Sequence, residues 1–301
     1  MQMGWTQAYF KSRQGNGKLS RLNILMGHQL QELLNHPAVQ AGLAPFLAGL
    51  VAAELFQRVR LSGLAIIAGF AATVFLASDF DFYPLTASRK IILSGLAGAA
   101  LALLLDLLQF RWLDSLLPVF GGAAAIWTAQ RILQQQEPQL MLQWGAACAA
   151  YVAILIWGMD KLLDQEPQRA SSAATSLGIG TGAAALVGAS ALLGQFGLAI
   201  GSAAAAHLLI QMYTNQSLQT GRVFALPLAL IAGLAGCVAV LSARLPWYAL
   251  IALACIPLSA RLAPLSGFTL RVQIILLMLL TAVFAIAAIY LTWRVAGDVP
   301  F

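Results

Sequence analysis

Two short stretches of sequence, Gly63-Leu64-Ala65-Ile66 and Gly197-Leu198-Ala199-Ile200, each open a long apolar run. Each stretch follows a helix-length apolar segment and a short turn, at 57–62 in the first case and at 194–196 in the second. Such self-similarity predicts two copies of one helical hairpin. We therefore expect an all-α protein whose two halves arose by duplication.

The composition indicates that lipid, not water, is the main solvent of this chain. Of its 301 residues, 60% are hydrophobic and only 9% are charged, whereas soluble domains carry about a quarter charged residues. Apolar runs of about 20 residues, each able to cross a hydrocarbon core of about 30 Å, recur from Ala38 onward. The chain is expected to be a polytopic bundle of about ten transmembrane helices, since its runs are too long and too continuous for barrel strands.

The transmembrane helices are predicted from these runs and from the turn residues between them. In chain order they fall at about 38–56, 62–78, 91–108, 113–129, 140–159, 173–193, 197–212, 223–242, 247–262 and 272–291.

Five segments follow from this placement. Residues 1–37 form a polar tail whose apolar side chains recur at helical spacing, which predicts an amphipathic helix. This helix either lies on the membrane or caps the bundle on its cytoplasmic side. The first helical repeat occupies 38–160, a hydrophilic connector 161–172, the second repeat 173–293, and a short C-terminal tail 294–301.

Further matches support duplication. Gly95-Leu96-Ala97-Gly98 in the third helix resembles Gly233-Leu234-Ala235-Gly236 in the eighth, and Trp112 and Trp247 occupy similar turns. Elements of the second half begin about 130 to 140 residues after their counterparts. Because each unit holds an odd number of helices, the second copy must enter the membrane upside down, and the two units form an inverted repeat.

The localisation is predicted from the positive charges. Basic residues of the tail favour a cytoplasmic N-terminus by the positive-inside rule, and an even helix count returns the C-terminus to the same side. We expect a multi-pass protein of a bacterial-type inner membrane. The net charge of +6 does not indicate nucleic acid as a partner, because Lys and Arg are scattered singly between apolar runs.

Enzymatic chemistry is not expected. The sequence has no nucleotide-binding loop, no nucleophile elbow and no metal-ligand pattern, so we predict neither cofactor nor metal. Three cysteines, Cys148, Cys237 and Cys255, lie far apart in sequence and are interpreted as small core residues.

Ionisable side chains within a bilayer are functional candidates, because each costs about 2.5 kcal/mol or more at the centre. Glu54, near the end of the first helix, is either an interface charge paired with Arg58 or a coupling site for a proton or cation. Asp106 and Asp114 flank one tight turn on the predicted outer side. With Arg111 in the same turn they form either a local ion-pair cluster or, together with Glu54 and Asp160, an entrance that attracts cations.

His207 is predicted near the midplane of the seventh helix. It is either a proton relay or a neutral imidazole hydrogen-bonded to a neighbouring helix. A relay predicts that His207→Ala abolishes any pH dependence of transport while folding stays intact. Thr181, in the glycine-rich sixth helix, is expected to line the same central path. The glycines of the sixth and seventh helices themselves predict close helix packing or sliding.

Two helices carry residues that break helical hydrogen bonding. Pro118 with Gly121 and Gly122 in the fourth helix, and Pro257 in the ninth, are predicted to interrupt equivalent helices. Interruptions at matching positions mark the central site of many carriers, because unpaired backbone must line a cavity. The alternative is an ordinary proline kink in each helix.

In length and helix count the chain resembles the five-plus-five carriers of the drug/metabolite transporter group. The prolines at 118 and 257 are similarly reminiscent of the crossed, broken helices of sodium-coupled bile-acid carriers. These resemblances imply a secondary transporter of a small solute, coupled to a proton or cation. The alternative is a non-transporting membrane subunit or assembly factor, as a homodimer or within a larger complex. A water-accessible cavity at His207 and Thr181 would favour the carrier, and a solid interior would favour the subunit.

Overall fold

The computed structural model describes residues 36–59, 61–78, 82–108, 115–188, 190–218, 220–265 and 267–297. Within these ranges the chain is helical and contains no strand. Its helices are α1 (Ala44–Phe56), α2 (Leu64–Ala77), α3 (Ala87–Leu108), α4 (Leu117–Leu133), α5 (Pro138–Leu163), α6 (Pro167–Val187), α7 (Ala191–Thr214), α8 (Arg222–Ser242), α9 (Trp247–Leu262) and α10 (Leu270–Ala296). A π-helical turn, Val39–Leu43, leads directly into α1. The amphipathic helix predicted for the tail lies outside the described residues.

Seven helical spans in the described ranges are long and apolar enough to cross a membrane: Val39–Phe56, α3, α5, α6, α7, α8 and α10. The helices α2 and α9 are apolar but shorter, at 14 and 16 residues, and α4 has 17. The chain is therefore a multi-pass helical membrane bundle, as predicted. Crossing by all ten helices stays a prediction.

The core of the bundle is built from the second half of the chain. The apolar window of α8 is 94% buried inside the protein, against 28% for α10 and 33% for Val39–Phe56. The helices α6 and α7 pack beside α8, while α1 and α2 cover α7, and α3 covers α8. The first half thus forms much of the outer layer, and an inverted repeat built on this fold would have unequal halves.

The two stretches that suggested duplication occupy different places in the fold. Gly63 is the residue before α2, whereas Gly197 lies two turns inside α7. The turn between α6 and α7 falls at 188–190 instead of the predicted 194–196. The predicted boundary was wrong because Gly194 is a packing glycine, whose Cα faces Leu186 of α6.

The second pair of matching stretches also differs in its contacts. Gly95 and Gly98 of α3 face Ile231 and Leu230 of α8, whereas Gly233 of α8 faces α5. Some helix pairs do recur in both halves, since α1–α2 corresponds to α6–α7, and α4–α5 to α9–α10. The inverted repeat stays a prediction, with these paired contacts in its favour and the matched glycines no longer supporting it.

The connector predicted at 161–172 is much shorter in the structure. The helix α5 continues to Leu163 and α6 begins at Pro167, which leaves only 164–166 between them. Proline suits the first turn of a helix, where its missing N–H would be unpaired in any case. At the other end, α10 runs to Ala296, past the predicted limit at 293.

Polar contacts define two ends of the bundle. We call face A the end at which α1, α3, α5, α7 and α9 finish, and face B the end at which they begin. At face A, Arg271 of α10 donates from Nε to the carbonyl of Met212 in α7 at 3.1 Å. At face B, the backbone N–H of Arg244 donates to the carbonyl of Gly188 at 3.0 Å. The described chain starts and finishes at face B.

Candidate functional site

The contact between α6 and α7 is made by glycines on both helices. A Cβ on Gly178 would lie 2.5 Å from the Cα of Gly201, and one on Gly182 would lie 2.4 Å from the backbone nitrogen of Leu198. Glycines at four-residue spacing let two membrane helices meet backbone to backbone. We call Gly178, Gly182, Gly197 and Gly201 the glycine seam. This contact agrees with the packing interpretation of these glycines.

A cluster of buried polar side chains continues the same α6–α7 contact toward face A. His207 Nδ1 lies 3.2 Å from Ser171 Oγ of α6, and His207 Nε2 lies 3.2 Å from Ser62 Oγ in the α1–α2 turn. Gln211 Nε2 donates to Ser171 Oγ at 3.2 Å. None of the four side chains is more than 1% exposed. We call them the polar cluster.

An uncharged imidazole satisfies both ring nitrogens of His207, while Oε1 of Gln211 has no hydrogen-bond partner among the described residues. The hydroxyl of Ser171 donates to the carbonyl of Pro167 at 3.1 Å. Its oxygen is then an acceptor for Nδ1–H of His207, and Nε2 is left to accept from the hydroxyl of Ser62. No carboxylate in the described part of the chain bonds to His207. The arrangement fits the neutral, hydrogen-bonded histidine better than a proton relay.

His207 also lies closer to face A than the sequence predicted. It is about two turns from the end of α7, beside the second turn of α6. The sequence placed His207 about ten residues into its helix, whereas it is the seventeenth residue of α7, because α7 begins at Ala191, before the predicted start at 197. Thr181 lies about 15 Å farther along α6 than Ser171, so it is not beside His207.

The two side chains predicted to line a central path are enclosed by protein. His207 and Thr181 are both fully buried, and neither lines a cavity among those found in the described ranges. The hydroxyl of Thr181 has no hydrogen-bond partner among the described residues. These two side chains therefore belong to a packed interior.

The predicted helix breaks at 118 and 257 are not interruptions in the structure. Pro118 is the second residue of α4, where no intrahelical hydrogen bond is lost. Gly121 and Gly122 lie within α4, and a Cβ on either would meet Ile156 or Ala149 of α5, respectively. These two glycines serve the packing of α4 against α5.

Pro257 lies inside a continuous α9. A Cβ on Gly158 of α5 would lie 3.1 Å from the Cβ and Cγ of Pro257. The proline therefore marks the point at which α9 rests on α5, and the small size of Gly158 permits that contact.

Among the acidic candidate residues, Asp106 caps the end of a helix. The side chain of Asp106 accepts from the backbone N–H groups of Arg222 and Val223, at 3.1 and 3.0 Å. It thus caps α8 from a distant part of the chain, where a carboxylate also favours the positive end of the helix dipole. The predicted local cluster with Asp114 lies partly outside the described residues. Asp160 and Arg222 line a cavity of only about 10 Å³.

Glu54 lies at the surface of α1. Its carboxylate accepts from Nε2 of Gln57 at 2.9 Å. The predicted ion pair with Arg58 is not among the ion pairs of the described residues. Of the two interpretations of Glu54, the exposed position fits an interface charge.

Arg169 was not predicted as a site residue, although it lies in the hydrophilic stretch between the halves. Its Nη1 donates to the carbonyls of Ala260, Arg261 and Ala263, at 2.7, 3.3 and 2.9 Å. Its Nε pairs with Oε2 of Glu166 at 3.0 Å, and the arginine side chain is 11% exposed. The last carbonyls of a helix have no intrahelical partner. Arg169 supplies those partners and ties the face A end of α9 to α6.

A cavity lies between α5 and α9. Its volume is about 640 Å³, and its lining residues run from Gln143 to Ile154 on α5 and from Trp247 to Leu258 on α9, with Val240 of α8 at its floor. The two helices meet at Gly158 and Pro257, beyond the cavity toward face A. They therefore separate toward face B, and we call the space the α5–α9 cleft.

The three cysteines, distant in sequence, come together around this cleft. Cys148 and Cys255 line it. The thiol of Cys237 donates to the carbonyl of Cys148 at 3.7 Å. Within the described ranges no group of three or more His, Cys, Asp or Glu side chains is arranged to hold a metal ion.

No protein-family model and no curated protein matches this chain. The function is therefore inferred from the geometry of the glycine seam, the polar cluster and the cleft.

Proposed function

We propose that the protein is a carrier, which moves a small solute across an inner membrane by opening the α5–α9 cleft alternately to face B and to face A. The observation that supports this proposal is the position of the cleft. Its walls come from the last helix of the first half and from the fourth helix of the second half, and these walls touch at Gly158 and Pro257. A solute site walled by one helix from each half is what rocking transport requires, with the two halves moving along the faces where α1, α2 and α3 pack on α7 and α8.

The polar contacts at face A would hold the cleft closed on that side. Arg169 binds three carbonyls at the end of α9, and Asp106 caps the start of α8, the floor of the cleft. In this proposal α9 also moves relative to α6 within the second half, so that opening toward face A releases the arginine contacts. Charge-assisted hydrogen bonds of this kind contribute about 1.5–3 kcal/mol each, which suits a reversible latch.

The proposal takes all ten helices as spans in two inverted halves, with the termini and face B in the cytoplasm. Proton or cation coupling is assigned in this proposal to acidic residues near face A, such as Asp106, because both ring nitrogens of His207 are hydrogen-bonded to serine hydroxyls. The chain carries out no chemical step on its solute in this proposal.

The proposal can be tested by distance measurements between spin labels, without knowledge of the solute. Labels are placed on cysteines that replace Leu142 and Ile251 near face B, and Asp164 and Leu262 near face A, in a chain freed of its three native cysteines. All four positions are exposed. A carrier is expected to show two distance populations for the pair 142/251 and two for the pair 164/262. When the distance between 142 and 251 is short, the distance between 164 and 262 should be long.

A control pair crosses the glycine seam. Cysteines replacing Leu186 and Leu209, which are 41% and 50% exposed, report on α6 and α7. This pair is expected to give one distance throughout, because the two backbones are in contact. A single, unchanging distance in the two cleft pairs as well would overturn the carrier proposal.

The second candidate is the non-transporting membrane subunit. The observation in its favour is the packed interior around His207 and Thr181, where a central aqueous path was predicted. In that case the α5–α9 cleft would be a static groove. A single distance in both cleft pairs is the result this candidate predicts.

A further inference from the structure

The α5–α9 cleft has an uneven distribution of polar groups along its length. No Asp, Glu, Lys or Arg is among its lining residues. The polar groups Gln143, Trp144 and Trp247 lie at its face B end, the hydroxyl of Tyr151 and the thiols of Cys148 and Cys255 lie midway, and Ile154 and Leu258 lie toward the point at which the walls meet. Tryptophan is the residue that most often marks the boundary between headgroups and hydrocarbon, because its ring is apolar and its N–H is a donor.

We propose that the solute of this cleft is an uncharged amphiphile with one hydrocarbon chain, such as a long-chain alcohol or a monoacylglycerol. This inference rests on the proposed carrier function. The polar head lies at Gln143, Trp144 and Trp247, and the chain extends between α5 and α9 toward Gly158 and Pro257. The cavity of about 640 Å³ falls within the size range of small-molecule sites.

The absence of charge from the lining excludes an ionic head inside the cleft. A buried ion without a partner costs several kcal/mol. A hydroxyl or ester head needs only a hydrogen bond from an indole N–H or from the amide of Gln143. The nearest guanidinium on α9, that of Arg261, lies over the ring of Trp157 at 5.5 Å and is not among the lining residues.

The test uses the full chain in lipid nanodiscs with a photoactivatable hexadecanol that carries a diazirine on its chain. Two companion probes bear the same chain with a carboxylate or a trimethylammonium head. We expect saturable labelling of 143–154 and 247–258 by the alcohol, competed by unlabelled hexadecanol, and weaker by about tenfold with either charged probe.

Two variants locate the labelling. Ala147→Trp places a large ring in the cleft and is expected to lower labelling by about tenfold. Val283→Trp adds the same ring to the lipid-facing side of α10, at a position 60% exposed, and is expected to leave labelling unchanged. Labelling that does not saturate and is equal in both variants shows an adventitious additive only, and overturns the inference. Equal saturable labelling by the charged probes overturns it as well.

The spin-label distances separate this inference from the carrier proposal. Saturable labelling by the alcohol with one static distance in each cleft pair supports the ligand class and overturns the carrier. Two distance populations without saturable labelling support the carrier and overturn the ligand class.

Discussion

The glycine seam and the α5–α9 cleft show how differently two helix pairs of one bundle can be joined. In the seam, glycines of α6 face glycines of α7 over successive turns, and the backbones touch. In the cleft, one glycine, Gly158, receives one proline, and a mixture of large and small side chains lines the remaining length without closing it. A repeated small residue makes two helices into one rigid unit, whereas a single small residue leaves a point about which they can turn.

The largest effect is expected from breaking the seam. Gly182→Ala places a methyl group 2.4 Å from the backbone nitrogen of Leu198 and 2.8 Å from the carbonyl oxygen of Gly194, where no flexible side chain can yield. We expect destabilisation by about 3 kcal/mol, measured by denaturant unfolding in detergent. Gly145→Ala in α5 is the matched control, since its methyl would meet only Leu133 Cδ1 at 3.6 Å. Equal losses in the two variants would show that the seam has no special role.

The polar cluster extends the seam toward face A, and His207→Ala tests whether it serves structure. The change leaves the side chains of Ser62 and Ser171 short of a buried partner. We expect a loss of about 2 kcal/mol of unfolding free energy, partly recovered in His207→Gln. Any pH dependence of transport should be the same in wild type and variant. A His207→Ala protein that is as stable as wild type but whose transport no longer depends on pH would instead support the proton-relay interpretation of His207.

Loss of the Arg169 contacts at the end of α9 should change the distances across the cleft and leave the distance across the seam unchanged. Arg169→Gln removes the guanidinium from three carbonyls of α9. We expect the population with the long face A distance to rise by about tenfold, and the distance across the seam to stay fixed. The control is Arg261→Gln, which removes only a cation–π contact with Trp157. If both variants give the same distances as wild type, Arg169 is not a latch.

The smallest effect concerns the wall of the cleft. Tyr151 is 7% exposed, and its hydroxyl has no hydrogen-bond partner among the described residues. Tyr151→Phe should therefore stabilise the protein by about 1 kcal/mol in the same unfolding measurement. Tyr290→Phe, at a position 51% exposed, should change nothing. Destabilisation of Tyr151→Phe would reveal that the hydroxyl is bonded after all.

The helices of this fold were predictable because each one corresponds to a continuous apolar run in the sequence, whose length can be counted without knowledge of distant contacts. The predicted limits of α9, 247–262, agree with the structure, and those of α8 differ by one residue. The boundary of α6 and α7 was misplaced because glycine is typical both of turns and of close helix contacts. Sequence alone does not separate the two uses at Gly194.

The site was less predictable because its contacts join distant segments. Asp106 caps a helix that begins at Arg222, and Arg169 binds carbonyls of Ala260 and Ala263. The acceptors in the second case are backbone atoms, which no residue type reveals. The cleft lies between α5 and α9, whose close approach joins Gly158 to Pro257 from distant parts of the sequence and is not visible as a motif.

The burial of α6 has a consequence for biosynthesis. This helix has the lowest mean hydropathy of the seven long spans and buries a row of hydroxyl groups. If α6 were alone in the bilayer, those hydroxyl groups would face hydrocarbon, and their unfavourable free energy of transfer would oppose insertion of the helix. The translating ribosome nevertheless delivers α6 before α7. We expect α6 to remain at the insertion machinery until α7 emerges, so that the two enter the bilayer together as a hairpin.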